Sequence, residues 1–232
     1  MSSFSTSLST AANLVLSANP DLIEIVQLSL QVSLTAVLVA ALVGMPLGAL
    51  IAVRRFPGRA IVVTLLNSLM GLPPVVLGLV VYLMLSRAGP LGEYGLLFTP
   101  EAMVIAQTLL IFPIIVALTR QTLIDLYRYY DEQFRSFRLS GRRSVQTLLW
   151  EGRYSLLTAL LAGFGRASAE VGAVMIVGGN INHVTRVMTT TIAMETSKGD
   201  FSLALALGFI LVSLVIVINA MVSLIQNLEK AV

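Results

Sequence analysis

The residues of this chain that could act chemically are mainly arginines, and most of them are gathered in one segment. Seven arginines and four acids lie between residues 120 and 153, whereas most of the remaining chain is apolar. Apolar and aromatic residues recur between these charges at steps of three and four, a spacing typical of amphipathic helices. We call residues 120–153 the arginine island and expect two short helices there, separated at Gly141. The island could hold a partner molecule, or it could lie on anionic lipid headgroups.

Two further charges stand in an otherwise apolar stretch. Arg166 and Glu170 are four residues apart, which places them on one face of a continuous helix. Charge deep in a bilayer is costly, so both groups should be paired and should face protein or water. They could belong to a pathway or gate for an anion, or they could form an ion pair that fixes helix packing.

The sequence contains no recognisable set of catalytic residues. It has no cysteine and a single histidine, His183, so thiolate metal sites are excluded and a histidine metal site is disfavoured. Neither Lys198 nor Lys230 stands in a G-x-x-x-x-G-K-[ST] loop, so the chain is not a P-loop ATPase. We therefore predict no enzyme activity, no catalytic residues and no metal site.

The elements that must position these charges are membrane-spanning helices. Of 232 residues, 56% are hydrophobic and 12% charged, whereas about a quarter are charged in soluble domains. Five charge-poor runs approach or exceed the roughly 20 residues that cross a bilayer, where the backbone must be helical. They cover about 22–53, 60–86, 102–119, 154–178 and 201–228. We predict an all-α polytopic membrane protein with an outer tail (1–21), one five-span domain (22–228) and an inner tail (229–232).

The positive charges predict how these spans are oriented. One side holds the arginine island with Arg54, Arg55, Arg59 and Lys230. The opposite side holds Arg87, Arg186 and Lys198. Because the side richer in arginine and lysine faces the cytoplasm, we expect a multi-pass protein of the inner membrane. Its N-terminus would lie outside and its C-terminus and arginine island inside.

Proline and glycine interrupt several of the spans. Pro46 and Pro113 fall inside the first and third, and Gly71, Pro73 and Pro74 fall near the middle of the second. Proline removes a helix hydrogen bond and crowds the preceding turn. We therefore expect kinks or breaks at these positions.

Five segments together form a recognisable pattern. They are NSLMGLPPVV (67–76), LSRAGPLG (85–92), TPEAMVIAQ (99–107), RASAEVGAVMIVGGNI (166–181) and ETSKGDF (195–201). The fourth of these resembles ATP-binding-cassette importer permeases of the molybdate, sulfate and tungstate group. The other four are similar to the tungstate permeases in particular, and the resemblance extends over nearly the whole chain after residue 22.

This resemblance implies one half of a type I importer that works as a homodimer. Two cytoplasmic ATP-binding-cassette ATPase subunits would dock through a coupling helix in each copy and would hold ATP and magnesium. No cofactor is then expected in this chain. An extracytoplasmic binding protein would deliver an oxyanion, tungstate first, with molybdate or sulfate as alternatives. The remaining partner is the lipid bilayer, and no nucleic acid is expected.

The resemblance also implies where coupling to the ATPase occurs. Relatives carry E-A-A-x-x-x-G in the coupling loop, and the aligned residues 135–141 read RSFRLSG, which retains the glycine alone. We interpret Gly141 as the residue that ends the coupling helix before the chain returns to the membrane. The predicted coupling residues are Phe134, Arg135, Phe137, Arg138, Gly141 and Ser144.

An oxyanion path needs hydrogen-bond donors and no ring of acids. The predicted path or gate residues are Thr64, Asn67, Ser68, Arg166, Ser168, Glu170 and Asn180. Two other classes of function stay open at this point. The chain could be an ATP-independent anion channel or carrier, or a membrane scaffold whose basic loop recruits lipid or a soluble partner.

Overall fold

The computed structural model describes residues 9–11, 13, 16, 17 and 19–230, with the side chains of all of these except 227–230. Within these residues the chain is helical and contains no strand, which confirms the predicted all-α class. The helices are α1 (Pro20–Val53), α2 (Arg59–Met70), α3 (Pro74–Leu85), α4 (Pro100–Ser136), α5 (Gly141–Glu151), α6 (Arg153–Ser168), α7 (Gly172–Gly178), α8 (Met188–Lys198) and α9 (Phe201–Lys230).

The helices agree with five membrane spans, two of which are broken. Three segments are long and apolar enough to cross a membrane alone: Pro20–Val53, Pro100–Ser136 and Phe201–Gln226. Two pairs of shorter helices, α2 with α3 and α6 with α7, pass the same test together, each bent at a break of at most four residues. Counting each pair as one span gives the five spans predicted from the sequence.

Proline breaks one span and not the others. α2 ends at Met70 and α3 begins at Pro74, the first helical position, where the missing N–H of proline is not needed. The expected break at residues 71–74 is therefore confirmed. No break occurs at Pro46 or Pro113, because α1 and α4 run through these prolines without interruption, and the kinks expected there stay predictions. Membrane helices tolerate such prolines because neighbouring groups can satisfy the freed carbonyls.

The contacts divide the chain into two compact units. Unit 1 comprises Met1–Thr35, Pro73–Gln107 and Ala167–Asn219. In its core α3 packs along α7, with Val81 and Val174 among the buried residues. A Cβ atom on Gly78 would lie 2.7 Å from the Cα atom of Ala173. The two helix backbones therefore touch, a close approach that small residues permit inside membranes.

Unit 2 comprises Ala36–Leu72, Thr108–Arg166 and Ala220–Val232, and it contains the arginine island. Its core joins α1, α4 and α5 through buried residues that include Ala49, Leu123 and Leu148. The first of the two short helices expected in the island is instead the end of α4, which continues from the predicted limit at 119 to Ser136. The physical reason is that Leu123 and Phe134 remain buried in this core, so the apolar face of the helix continues.

Candidate functional site

The fourth span is broken next to its two charged residues. α6 ends at Ser168 and α7 begins at Gly172, so Arg166 belongs to α6 and Glu170 to the segment between the helices. The expectation that both lie on one face of a continuous helix is therefore wrong. Arg166 is half-buried in unit 2, and Glu170 is buried in unit 1. Their roles toward an anion stay predictions.

Glu170 holds the start of α7. The residue is 3% exposed, and its Oε1 atom accepts a hydrogen bond from the backbone N–H of Ala173 at 3.0 Å. The first amides of a helix lack partners within it, and the helix dipole favours a negative charge at this end. The carbonyl of Glu170 accepts a second hydrogen bond from the hydroxyl of Thr189 at 2.7 Å. The carboxylate thus has a structural task of its own.

Gln107 stabilises the end of α6 on the other side of this break. It was not among the predicted site residues. It is buried in α4, and its Nε2 donates to the carbonyl of Ala167 at 3.1 Å. The last carbonyls of a helix have no partner within it, so this amide satisfies one at the end of α6. The Oε1 atom of Gln107 has no partner among the described residues. The sequence could have indicated this role, because a polar side chain in an apolar span is costly unless it is paired or functional.

Asn180 is the centre of a polar network in unit 1. It adopts a left-handed conformation with φ 50°, and it is 8% exposed. Its Oδ1 accepts a hydrogen bond from Thr190 at 2.8 Å, while its Nδ2 lies 3.2 Å from the sulfur of Met194. Both partners belong to α8, a helix that lies between the fourth and fifth predicted spans. The side chain of Asn180 therefore ties the end of α7 to α8, and its path role stays a prediction.

The other predicted path residues lie elsewhere. Thr64, Asn67 and Ser68 are exposed on one face of α2 in unit 2, at the three- and four-residue spacing that brings side chains together. The hydroxyl of Ser68 donates to the carbonyl of Thr64 at 2.9 Å. Ser168 is half-buried at the end of α6 in unit 1. The structure thus brings together three of the seven residues on one face of α2.

The arginine island turns a corner at residues 137–140. The N–H of Leu139 bonds the carbonyl of Phe134, and the N–H of Arg138 bonds that of Arg135, both at 3.0 Å. This pair of bonds is a Schellman motif, in which the residue after the helix is left-handed and usually glycine. Here that residue is Arg138, with φ 48°. A left-handed residue with a Cβ atom is strained by roughly 1–2 kcal/mol.

Gly141 was expected to end a helix. In the structure it begins one. It is the first residue of α5, whose N-cap is Ser140, and it does not adopt a positive φ angle. The segment 134–144 is therefore a helix end, a corner and a helix start, rather than one coupling helix. The expectation failed because the aligned glycine was assigned the left-handed position that Arg138 occupies.

Burial divides five of the six predicted coupling residues into two groups, while Gly141 is half-buried. Phe134 and Ser144 are 7% and 4% exposed, so their side chains pack the corner from within. Phe137 is 76% exposed, and Arg138 is exposed beside it. Arg135 is exposed as well, and it forms an ion pair with Asp131 at 2.8 Å. The side chains available to a partner at this corner are therefore Phe137, Arg135 and Arg138.

His183 forms an exposed ion pair on the segment between α7 and α8. Its Nδ1 lies 2.9 Å from Oε2 of Glu24. Asp21, Glu24 and His183 offer ligand atoms within 4.8 Å of one another, and all three residues are exposed. The hydrogen bond that the imidazole makes to the carboxylate of Glu24 is the main cause that raises the pKa of His183 above its ordinary value. The two carboxylates thus favour the protonated form of the imidazole.

Replacing Glu24 with glutamine should lower the pKa of His183 toward its ordinary value. The raised folded-state pKa means that the pairing stabilises the protein fully below the unfolded-state pKa and is lost as pH rises through the folded-state value. Because the chain has one histidine, the imidazole NMR titration needs no assignment. Glu93→Gln, at an exposed carboxyl elsewhere, is the control. A titration midpoint that Glu24→Gln leaves unchanged would contradict the pairing.

Comparison with known proteins shows one family along most of the chain. The family model described as "Binding-protein-dependent transport system inner membrane component" matches residues 44–229. The chain is 42% identical over 207 residues to the "Probable anion ABC transporter permease protein" of Haloferax volcanii, covering 86% of this chain and 88% of that protein. It is 40% identical over 217 residues to the "Tungstate uptake system permease protein TupB" of Peptoclostridium acidaminophilum, covering 94% and 95%. It is 29% identical over 192 residues to the "Sulfate transport system permease protein CysW" of Escherichia coli K12, covering 80% and 65%.

Proposed function

The chain belongs to the binding-protein-dependent transport system inner membrane components, and we propose that it is the permease subunit of an ATP-driven tungstate importer. The single observation that carries the choice of cargo is the 40% identity to TupB, over 94% of this chain and 95% of that protein. The similarity to the sulfate permease CysW is lower, at 29%. Sulfate is therefore the less favoured cargo, and molybdate is a further alternative to tungstate.

The chemistry of the predicted path suits a tetrahedral dianion. Such an ion crosses an apolar region only if hydrogen-bond donors replace its water and if free carboxylates are kept away. Thr64, Asn67 and Ser68 offer hydroxyl and amide groups on one face of α2. The carboxylate of Glu170 is already engaged by a helix amide. We propose that two copies of the chain form the path, with Arg166 supplying positive charge.

The energy for transport comes, in this proposal, from a separate protein. Two ATP-binding-cassette ATPase subunits hold ATP and Mg²⁺, and each docks on the corner of one permease copy, where Phe137, Arg135 and Arg138 are accessible. ATP binding draws the two corners together and moves the copies between inward-open and outward-open arrangements as rigid bodies. An extracytoplasmic binding protein delivers the oxyanion to the opposite face.

Purification of the tagged chain from its own membranes tests the proposal. We expect an ATPase with a G-x-x-x-x-G-K-[ST] loop to remain bound in mild detergent, one per permease copy. Membranes that accumulate tungstate, but from which the chain is recovered without any such ATPase, would favour an ATP-independent carrier instead.

The arginine distribution predicts the orientation of the chain, which single-cysteine labelling can check. The native sequence has no cysteine, so Asn182→Cys and Arg143→Cys each introduce one exposed thiol. In intact cells an impermeant reagent should label Asn182→Cys and spare Arg143→Cys, and both should react after permeabilisation. Ser144, a further position expected inside, is unsuitable for labelling because it is buried, and Ser5, a further position expected outside, lies outside the described residues. Labelling of Arg143→Cys in intact cells would reverse the assignment.

A further inference from the structure

Unit 2 contains a cavity whose wall is unusually rich in positive charge. Its volume is about 540 Å³, and it lies between α4 and the corner that joins α1 to α2. Five arginines line it, against one acid: Arg55, Arg59, Arg120, Arg128, Arg135 and Asp131. None of the seven predicted path residues belongs to this wall.

The spacing of the wall residues on α4 explains how the charges converge. Arg120, Arg128, Asp131 and Arg135 are separated by 8, 3 and 4 residues, so they follow one face of the helix. Arg55 and Arg59 face them from the segment after α1 and the first residue of α2. The positive charge is therefore built by two separate parts of the fold rather than by one run of sequence.

The internal partners of these arginines are too few to neutralise them. Asp131 pairs with Arg135 at 2.8 Å, and Arg128 has a longer contact of 3.8 Å with Asp125. The Nε atom of Arg59 donates to the carbonyl of Ile51 at 2.9 Å, which orients the side chain without cancelling its charge. The Nε atom of Arg120 is buried and has no hydrogen-bond partner among the described residues. Like charges gathered in a cleft repel one another and raise the local potential for an anion.

We propose that this cavity binds a tetrahedral oxyanion, either a free ion or the phosphate of an anionic lipid headgroup. Guanidinium groups suit this chemistry because their planar donors can grip two oxygens of one phosphate-like group. Both sources are physically available at this place. The cavity lies where α1 ends and α2 begins, the level at which basic residues meet lipid headgroups. The site goes beyond the proposed transport function, because it lies outside the predicted path and does not depend on the cargo. It shares one residue, Arg135, with the proposed docking corner for the ATPase.

The test uses the full-length chain in nanodiscs of phosphatidylcholine, with inorganic phosphate and tungstate as separate probes of free-ion binding. Arg120→Gln and Arg55→Gln remove one guanidinium each from the cavity wall, and Arg142→Gln removes an exposed arginine outside it. We expect each wall variant to weaken binding of at least one ion by about tenfold, and the control to match the wild type. Equal thermal unfolding midpoints for the variants exclude a general loss of folding.

A second arm distinguishes a lipid source from a free ion. The chain is extracted from membranes containing phosphatidylglycerol, and retained lipid is measured by mass spectrometry. Retention of phosphatidylglycerol by the wild type and Arg142→Gln, with loss in both wall variants, would support the proposal with a headgroup as occupant. Equal binding of phosphate, tungstate and phosphatidylglycerol by the wild type and both wall variants would overturn it. An effect of the wall variants on ATPase co-purification alone would also overturn it, because the wall would then be a protein interface.

Discussion

Replacement of Phe137 by aspartate is expected to reduce ATP-dependent tungstate uptake by about thirtyfold or more. This reduction corresponds to the loss of roughly 2 kcal/mol of binding free energy at a protein interface. Phe137 is 76% exposed at the corner between α4 and α5, and it makes no aromatic ring contact among the described residues. The other exposed aromatics of the island differ, since Arg153 lies over the ring of Trp150 and Tyr129 makes an edge-to-face contact with Tyr130. The proposed function gives Phe137 a partner surface on the ATPase.

The measurement compares tungstate uptake, ATPase activity and membrane content of the same preparations. Membrane content should stay at the wild-type level, because Phe137 is exposed and does not belong to the buried core of unit 2. Gly141→Ala is the matched control four residues away, because Gly141 has an ordinary φ angle and its Cβ would meet only Arg54 at 3.7 Å. Normal uptake by Phe137→Asp would contradict the proposal that the ATPase docks on this corner. Strong loss of uptake in Gly141→Ala would show that Gly141 itself contributes to coupling, which its open surroundings at the start of α5 do not predict.

Replacement of Gly78 by alanine is expected to cost about 1–3 kcal/mol of stability, through overpacking of α3 against α7. The added Cβ would lie 2.7 Å from the Cα atom of Ala173, and backbone cannot move aside as a flexible side chain does. The direction of the change in stability is informative, because alanine forms helices better than glycine by about 1 kcal/mol. Helix propensity alone would therefore make this variant more stable than the wild type.

Thermal unfolding in detergent and the yield of assembled complex measure this effect. Gly208→Ala is the matched control, because Gly208 is also a helical glycine of unit 1 and no atom lies within 4 Å of its Cβ position. We expect Gly208→Ala to equal or exceed the wild type in stability. A Gly78→Ala protein as stable as Gly208→Ala would show that α3 and α7 do not touch through their backbones.

The sequence predicted the spans well because hydropathy and charge are local properties. The ends of α1 and α2 and the break at residues 71–74 follow from Arg54, Gly71 and Pro74 without any tertiary information. The length of α4 was underestimated because the predicted limit was placed where the apolar run stops. Burial of Phe134 against α1 and α5 keeps the helix intact beyond that point, and this contact is tertiary.

The break in the fourth span could not be predicted for a related reason. The four-residue spacing of Arg166 and Glu170 does not indicate that the helix ends between them. The groups that stabilise it are Gln107 and Thr189, which bond the carbonyls of Ala167 and Glu170 from distant parts of the chain. The corner of the island was misplaced because Arg138 takes a left-handed position that sequence rules assign to glycine. Only the hydrogen bonds around this corner show that Arg138, rather than a glycine, takes the left-handed position.

Tungstate uptake into proteoliposomes is the most direct measurement of what this chain does. The vesicles contain the chain and its co-purified ATPase, and the tungstate-binding protein is added on the face opposite the arginine island. We predict accumulation only when ATP and Mg²⁺ are present on the island side, and none with a non-hydrolysable ATP analogue or without the binding protein. Accumulation of tungstate by vesicles that contain this chain alone, without ATP, would contradict the assignment of the chain as an importer permease subunit.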